Sequence, residues 1–388
     1  MTAATILLAG GGTGGHVFPM VAVADALGRV APGVRCVFVG TDRGIESRIV
    51  PERGYELCLM RVEPIRGGGI RGVARGVARA VASLPEARAL VRRLQPGAVF
   101  SVGGYAAGPV SLAARSLGIP VGLMEPNAVI GLSNRLIAPL VQRAYTAFED
   151  AERHFRGSAV LRSGVPIRDG FHARDLPPRN GPLRILVLGG SQGAKALNEV
   201  LPEALGLLET EVRVVHQCGR AHEEAVLERY RAAAQLDAVE VVSFIDDMPA
   251  ALAEAQLVLS RSGASAVSEI CAVGRPSLLV PYPYAAGDHQ RRNAEALQAA
   301  GAGICVLAED ATATRLAREI EDLAARGESI QSMAARARSF GRPQAAETIA
   351  KDLLALAGLA PATASSGSAF GDAPEPGVGG PVSLQEAS

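Results

Sequence analysis

Two short apolar runs, roughly half a chain apart, each break into a cluster of glycines. Near the start, Thr5-Ile6-Leu7-Leu8-Ala9 leads into Gly10-Gly11-Gly12-Thr13-Gly14-Gly15-His16. In mid-chain, Leu183-Arg184-Ile185-Leu186-Val187-Leu188 leads into Gly189-Gly190-Ser191-Gln192-Gly193. Each run has the length and near-continuous apolarity of a strand covered on both faces, and a helix-compatible stretch follows it. Strand, glycine turn and helix start together present backbone N–H groups where a phosphate binds. Meeting that order twice predicts an α/β chain of two Rossmann-like domains, each a doubly wound parallel sheet, facing one cleft. Such an architecture suits a nucleotide-sugar transferase.

The rest of the chain follows the same rhythm. Strand-like runs at 36–40, 98–102 and 120–124 alternate with Ala- and Arg-rich helical segments, and after 183 the pattern restarts with runs at 212–216, 239–244, 257–260 and 276–280. At 388 residues there is enough chain for two cores. The polar stretch 169–182, with Pro-Pro and Asn-Gly, reads as the linker. The expected division is 1–166 and 167–341, with a final helix over 342–359 crossing back to the first domain. Residues 360–388 are Ala, Ser, Gly and Pro with acidic residues and no periodicity, the composition of a disordered tail.

Composition removes several function classes. Hydrophobic residues at 48% and charged residues at 20% mark a globular chain. Zero net charge gives no basic pull on nucleic acid, and with no Trp and 4% aromatics there is little to stack bases on. Cys36, Cys58, Cys218, Cys271 and Cys305 are widely spaced, which predicts reduced, buried thiols. No Cys/His cluster has zinc spacing, so no metal is expected. The start carries no basic segment, and no apolar run reaches ~18 residues, so any membrane contact is expected to be peripheral.

Gly10, Gly12 and Gly15 also satisfy G-x-G-x-x-G, the dinucleotide fingerprint. That fingerprint wants an acidic residue about 20 positions on, and Asp42 comes later than that. His16 lies where the positive end of a helix disfavours imidazolium, so it is expected neutral near pH 7. It reads either as a general base or as a cap on the turn. Val102-Gly103-Gly104-Tyr105-Ala106-Ala107-Gly108 follows another strand and reads as an approach for an anionic acceptor or as tight packing. Gly190-Ser191-Gln192-Gly193 offers N–H, hydroxyl and amide donors to a diphosphate. Glu269, two turns into the helix after Arg261-Ser262-Gly263, is placed to accept from vicinal ribose hydroxyls or simply to favour the helix dipole. Gln290 and Asn293 share a helical face and read as contacts to sugar hydroxyls, with Arg291 and Arg292 as a solvated helix start. Ile70, Val73, Val77, Val81 and Leu84 form a stripe opposite Arg71, Arg75 and Arg79, a pattern shared by membrane-surface helices and ordinary surface helices.

Taken together, the run from Gly11 to Pro19, Gly189 to Ala194, Phe244-Ile245-Asp246-Asp247-Met248, and Arg261 through Glu269 resemble the MurG transferases of glycosyltransferase family 28. The resemblance covers residues 1 to about 358. It implies the GT-B fold and an inverting transfer of GlcNAc from UDP-GlcNAc to the MurNAc C4 hydroxyl of lipid I, giving lipid II for peptidoglycan, with no metal or other cofactor. It implies that Thr13, Gly14 and Gly15 lie near the donor sugar, that Asn127 contacts GlcNAc, and that Arg168 lies near the phosphates or uracil. Ser191 and Gln192 would bind the diphosphate, the Ile245 backbone the uracil, and Ala264, Ser265, Ala266, Val267, Ser268 and Glu269 the phosphates and ribose. Gln290 would meet the GlcNAc hydroxyls. His16 and Glu125 are the two candidate bases. The implied location is the cytoplasmic face of the cell membrane, as a peripheral protein, with cell-wall synthesis and division proteins as partners. Two departures stand out: Pro126 where relatives often carry Gln, and a stretch at 66–84 without aromatic anchors. Rival readings are a lipid glycosyltransferase with another acceptor, a sugar epimerase on the same fold, an NAD-dependent oxidoreductase and a UDP-sugar sensor.

Overall fold

The computed structural model describes residues 4–60, 62, 82–190 and 192–359. Ser191, the stripe at 70–81 with its three arginines, and the tail 360–388 lie outside the described residues.

Two parallel sheets form, one from each half. The first holds β1 (Thr5–Gly10), β2 (Arg35–Gly40), β3 (Glu56–Leu59), β4 (Ala98–Gly103), β5 (Val121–Glu125), β6 (Arg143–Thr146) and β7 (Ala159–Leu161), in the order β3-β2-β1-β4-β5-β6-β7. The second holds β8 (Leu183–Leu188), β9 (Val212–Gln217), β10 (Val239–Val242), β11 (Leu257–Ser260), β12 (Ser277–Leu279) and β13 (Ile304–Cys305), in the order β10-β9-β8-β11-β12-β13. β1 pairs with β2 on one side and β4 on the other, and β8 pairs likewise with β9 and β11. Both glycine turns therefore leave the carboxyl end of the strand beside which the winding reverses, where open α/β sheets bind ligands.

The unbroken apolar runs are explained by burial on both sides. Ile6 and Leu8 join a cluster with Val17, Met20 and Leu27 of the Gly14–Val30 helix, while Leu7 and Ala9 join the opposite cluster with Val91 and Val110. In β8, Ile185 and Val187 face one cluster and Leu186 and Leu188 the other. β3, β6, β7 and β13 go beyond the runs legible in sequence. They are two to four residues long, at or next to sheet edges, and carry polar residues such as Glu56 and Arg143.

The Ala345–Leu356 helix packs back onto the first sheet. Ile349, Leu353 and Leu354 join the cluster of β1 and the Gly14–Val30 helix, and Asp352 accepts from Arg143 Nε at 2.7 Å and Tyr145 Oη at 2.8 Å. Between the sheets, Ala128 and Phe148 of the first half pack with Val267, Cys271, Leu297 and Ala337 of the second. The stretch 162–182 carries no helix or strand. Fully buried Arg275 fixes part of it to the second half by donating to the carbonyls of Arg174 and Asp175 at 3.2 and 3.1 Å.

Candidate active site

The first glycine turn is a close approach of backbones. A Cβ on Gly104, whose φ is +89°, would strike the Gly11 carbonyl from 2.6 Å, so the turns after β1 and β4 touch main chain to main chain. Thr13 is the extended N-cap of the Gly14–Val30 helix and makes no side-chain cap bond. The first N–H groups of a helix have no partner within it, and Gly14 and Gly15 open this one beside exposed Thr13. His16, half-buried in the first turn, has Nδ1 3.0 Å from the Gly11 carbonyl oxygen. A carbonyl only accepts, so Nδ1 carries the hydrogen and Nε2 the lone pair. Burial lowers the His16 pKa, with His289 adding to the fall; the Gly11 hydrogen bond and the Glu46 carboxylate oppose it.

Sequence reasoning passed over Glu46. It is buried, accepts from Gly12 N–H at 2.8 Å through Oε2, and accepts from the Thr41 N–H and hydroxyl at 2.9 and 3.0 Å through Oε1. Its only signal in the sequence is the pair of glycines in Gly40-Thr41-Asp42-Arg43-Gly44-Ile45-Glu46.

Glu125 ends β5 and is buried. Its Oε1 accepts from Asn127 N–H at 3.0 Å and Asn127 Nδ2 at 3.3 Å, and its Oε2 accepts from Gly131 N–H at 3.0 Å and Asn134 Nδ2 at 2.9 Å. Burial raises its pKa and these four bonds oppose the rise. All four donors come from the loop and helix that follow it in the chain, residues 127–134. Asn127 also reaches across the junction, its Oδ1 accepting from Asn293 Nδ2 at 3.1 Å. Asn293 corrects the expectation that it reads sugar hydroxyls. It is fully buried, its Oδ1 accepts from Ala128 N–H at 2.9 Å, and its Nδ2 also donates to the Ser262 carbonyl at 3.0 Å. It ties the Asn127 loop of the first half to the Ser262 turn of the second.

On the second side, extended Gly263 opens the Ala264–Val273 helix without a side-chain cap, and its first N–H groups at Ala264, Ser265 and Ala266 lack intrahelical partners. Ala264 packs against the core of the first half. The Val267 side chain is fully buried in the cluster between the sheets, so only its backbone borders the site, with Ser268 half-buried beside it. Glu269 lies 3.7 Å from the Arg168 guanidinium, and burial pushes its carboxyl up to about 7, with Arg168 opposing. Arg168 in turn stands 6.0 Å from the Phe18 ring and 5.7 Å from that of Phe171, bridging both halves. Gln290 accepts from Tyr282 N–H at 3.0 Å through Oε1, and its backbone carbonyl accepts from Ser262 Oγ at 2.7 Å. Exposed Gln192 stands in the turn after β8, while Ile245 follows β10 and packs on the second core.

Arg168 thus stands between Phe18 and Glu269, Asn293 joins Asn127 to the Ser262 turn on which Gln290 also sits, and His289, next to Gln290, acts on His16, while Gln192 and Ile245 follow β8 and β10. Among the described residues no three His, Cys, Asp or Glu side chains group as a metal site, and no helix is long and apolar enough to cross a membrane.

Two parallel sheets, each with a glycine turn at the carboxyl end of its central strand, define a two-domain α/β protein of the GT-B class. Residues 6–146 match the glycosyltransferase family 28 N-terminal domain and residues 184–349 its C-terminal domain. The chain is 53% identical over 358 residues, 91% of its length and 88% of the relative's, to the UDP-N-acetylglucosamine–N-acetylmuramyl-(pentapeptide) pyrophosphoryl-undecaprenol N-acetylglucosamine transferase of Sorangium cellulosum. The enzyme of the same name from Anaeromyxobacter dehalogenans is 41% identical, covering 96% of this chain and 97% of the relative. The crystal structure of Acinetobacter baumannii MurG superposes with a TM-score of 0.77 at 32% identity, covering 91% of this chain and 99% of that one. A Neisseria meningitidis UDP-GlcNAc 2-epimerase, at 16% identity and a TM-score of 0.63 over 90% of this chain, shares the fold. The chain belongs to the MurG transferases of glycosyltransferase family 28.

Proposed function

We propose that the chain transfers GlcNAc from UDP-GlcNAc to the C4 hydroxyl of MurNAc in undecaprenyl-pyrophosphoryl-MurNAc-pentapeptide, lipid I, giving lipid II with inversion at C1. The names of its relatives support this donor and acceptor. One pair of observations carries the reading of the site: a buried, oriented imidazole at the start of the Gly14–Val30 helix, and an uncapped helix start in the second half whose Ala264 packs on the core of the first. As the acceptor oxygen bonds to C1, its proton passes to His16 Nε2. The C1–oxygen bond to the diphosphate breaks, and UDP leaves with the electron pair. The helix starts after Gly193 and Gly263 hold the charge that develops on it.

The remaining assignments follow the same division, with the boundary at 166/167. Thr13, Gly14 and Gly15 border the sugar, and Asn127 offers its remaining amide hydrogen. Ser191 and Gln192 hold the diphosphate, residues 264–269 the phosphates and ribose, Arg168 the phosphates or uracil, Ile245 the uracil and Gln290 the GlcNAc hydroxyls. Glu125, with both oxygens filled by donors from residues 127–134, holds residues 125–134 rather than taking the proton. The enzyme works peripherally at the cytoplasmic face of the membrane, where its lipid acceptor is presented.

Purified protein given labelled UDP-GlcNAc and a lipid I analogue is expected to form a β-linked disaccharide lipid. UDP-ManNAc formed from donor alone would establish the epimerase instead, and binding of NAD(H) without UDP the oxidoreductase. A His16→Ala protein turning over at near-normal rate beside a dead Glu125→Ala protein would exchange the two roles.

A further inference from the structure

We propose that Glu46 is a positioning residue for the His16 base, acting through the single peptide group that joins Gly11 to Gly12. One end of this peptide, the Gly12 N–H, donates to Glu46 Oε2 at 2.8 Å. The other end, the Gly11 carbonyl, lies 3.0 Å from His16 Nδ1. The order is carboxylate, peptide, imidazole. A carboxylate on the N–H polarises the peptide and makes its carbonyl a stronger acceptor. That fixes the His16 ring with Nδ1 protonated and Nε2 directed to the acceptor. A third group orienting a base is a recurring device of nucleophilic catalysis; here a backbone amide is interposed.

The local sequence is built around this carboxylate. A Cβ on Gly11, Gly40 or Gly44 would collide with the Glu46 side chain, so three glycines clear its space. The Thr41 N–H and hydroxyl occupy Oε1, which leaves Oε2 for Gly12. The groups whose charge bears on His16 are Glu46 from its own half and His289 from the other. A group that merely filled space would not need both oxygens matched by donors from two separate turns.

The inference rests on His16 being the base, and the test separates the two claims. E46Q keeps the side-chain length but sets an NH₂ group against an N–H donor. It is expected to lower kcat roughly 10- to 100-fold with KM for UDP-GlcNAc nearly unchanged, the loss expected for a hydrogen bond to a charged group. Because Glu46 holds the His16 pKa up against burial, the acid limb of kcat/KM should move to lower pH in E46Q. In an H16A background, E46Q should cost little more, since residues acting as one unit are not additive. Multiplying losses, or an unmoved acid limb in E46Q that melts and binds UDP like the parent, would overturn the role of Glu46. An H16A protein with near-normal turnover would overturn the base itself. Should E46Q not fold, ¹⁵N spectra of the parent imidazoles decide: Nδ1-protonated His16 supports the inference and Nε2-protonated His16 ends it.

Discussion

Behind the first glycine turn stands a carboxylate. Behind the second stands a neutral set: Asn198 donates to the Cys218 carbonyl at 3.0 Å, and its Oδ1 lies 3.1 Å from His216 Nε2, while His216 Nδ1 lies 2.8 Å from the Tyr230 hydroxyl. Burial pushes His216 down to about 4, so this set carries no charge at neutral pH. Two turns that look interchangeable in sequence thus present different fields. A carboxylate within hydrogen-bonding reach of the first turn's own N–H repels a diphosphate there and supports an imidazole instead. The uncharged support of the second sets no negative charge against a phosphate at that turn. The same strand-turn-helix device serves proton transfer on one side and leaving-group binding on the other.

Four experiments sharpen or break this contrast, from the largest expected effect to the smallest. His16→Ala should lose ~10²–10⁴-fold in kcat, the usual worth of a general base, with UDP affinity unchanged by calorimetry. A comparable loss of UDP affinity would erase the division of labour. The second test is acid unfolding. The folded His216 pKa lies below its unfolded value, so the unfolded chain binds the extra proton. The stability tied to neutral His216 is full above the unfolded value and drains away as pH falls from about 6.5 to about 4, roughly 3 kcal/mol in all. Denaturant melts of His216→Gln across that range should lack this part of the slope, and an unchanged slope would remove His216 from the account. Third, Glu269 titrates at about 7, and its ionised form is the better acceptor, so UDP affinity should fall from about pH 8 to about pH 6. In Glu269→Gln the affinity should be lower, by about tenfold, and flat over the same range. Smallest is Gln192→Ala, an exposed donor of the second turn. It should raise KM for UDP-GlcNAc a few-fold, about 1 kcal/mol, and leave kcat alone.

Much of the architecture was legible because β1 and β8 are near-continuous apolar runs followed by glycine, as strands covered on both faces are. The short strands were not, since two to four residues with Glu56 or Arg143 among them show no period. At the site, His16 declared itself by standing next to the glycines. Glu46 did not: a lone acid 34 residues from Gly12 acquires meaning only when the β2 turn folds over the β1 turn. Asn293 was misread for a similar reason. Helical spacing gives the face a residue shares, but not whether another domain covers that face, and here Ala128 and Asn127 do.

The return of the Ala345–Leu356 helix to the first sheet means that the chain passes between the lobes twice, once over 162–182 and once just before residue 345. A single tether lets two bodies swivel freely, whereas a pair of tethers side by side resists twisting and favours bending. Any relative motion of the lobes is thereby steered toward one axis, with Ala264 kept against the first-half core on which it packs.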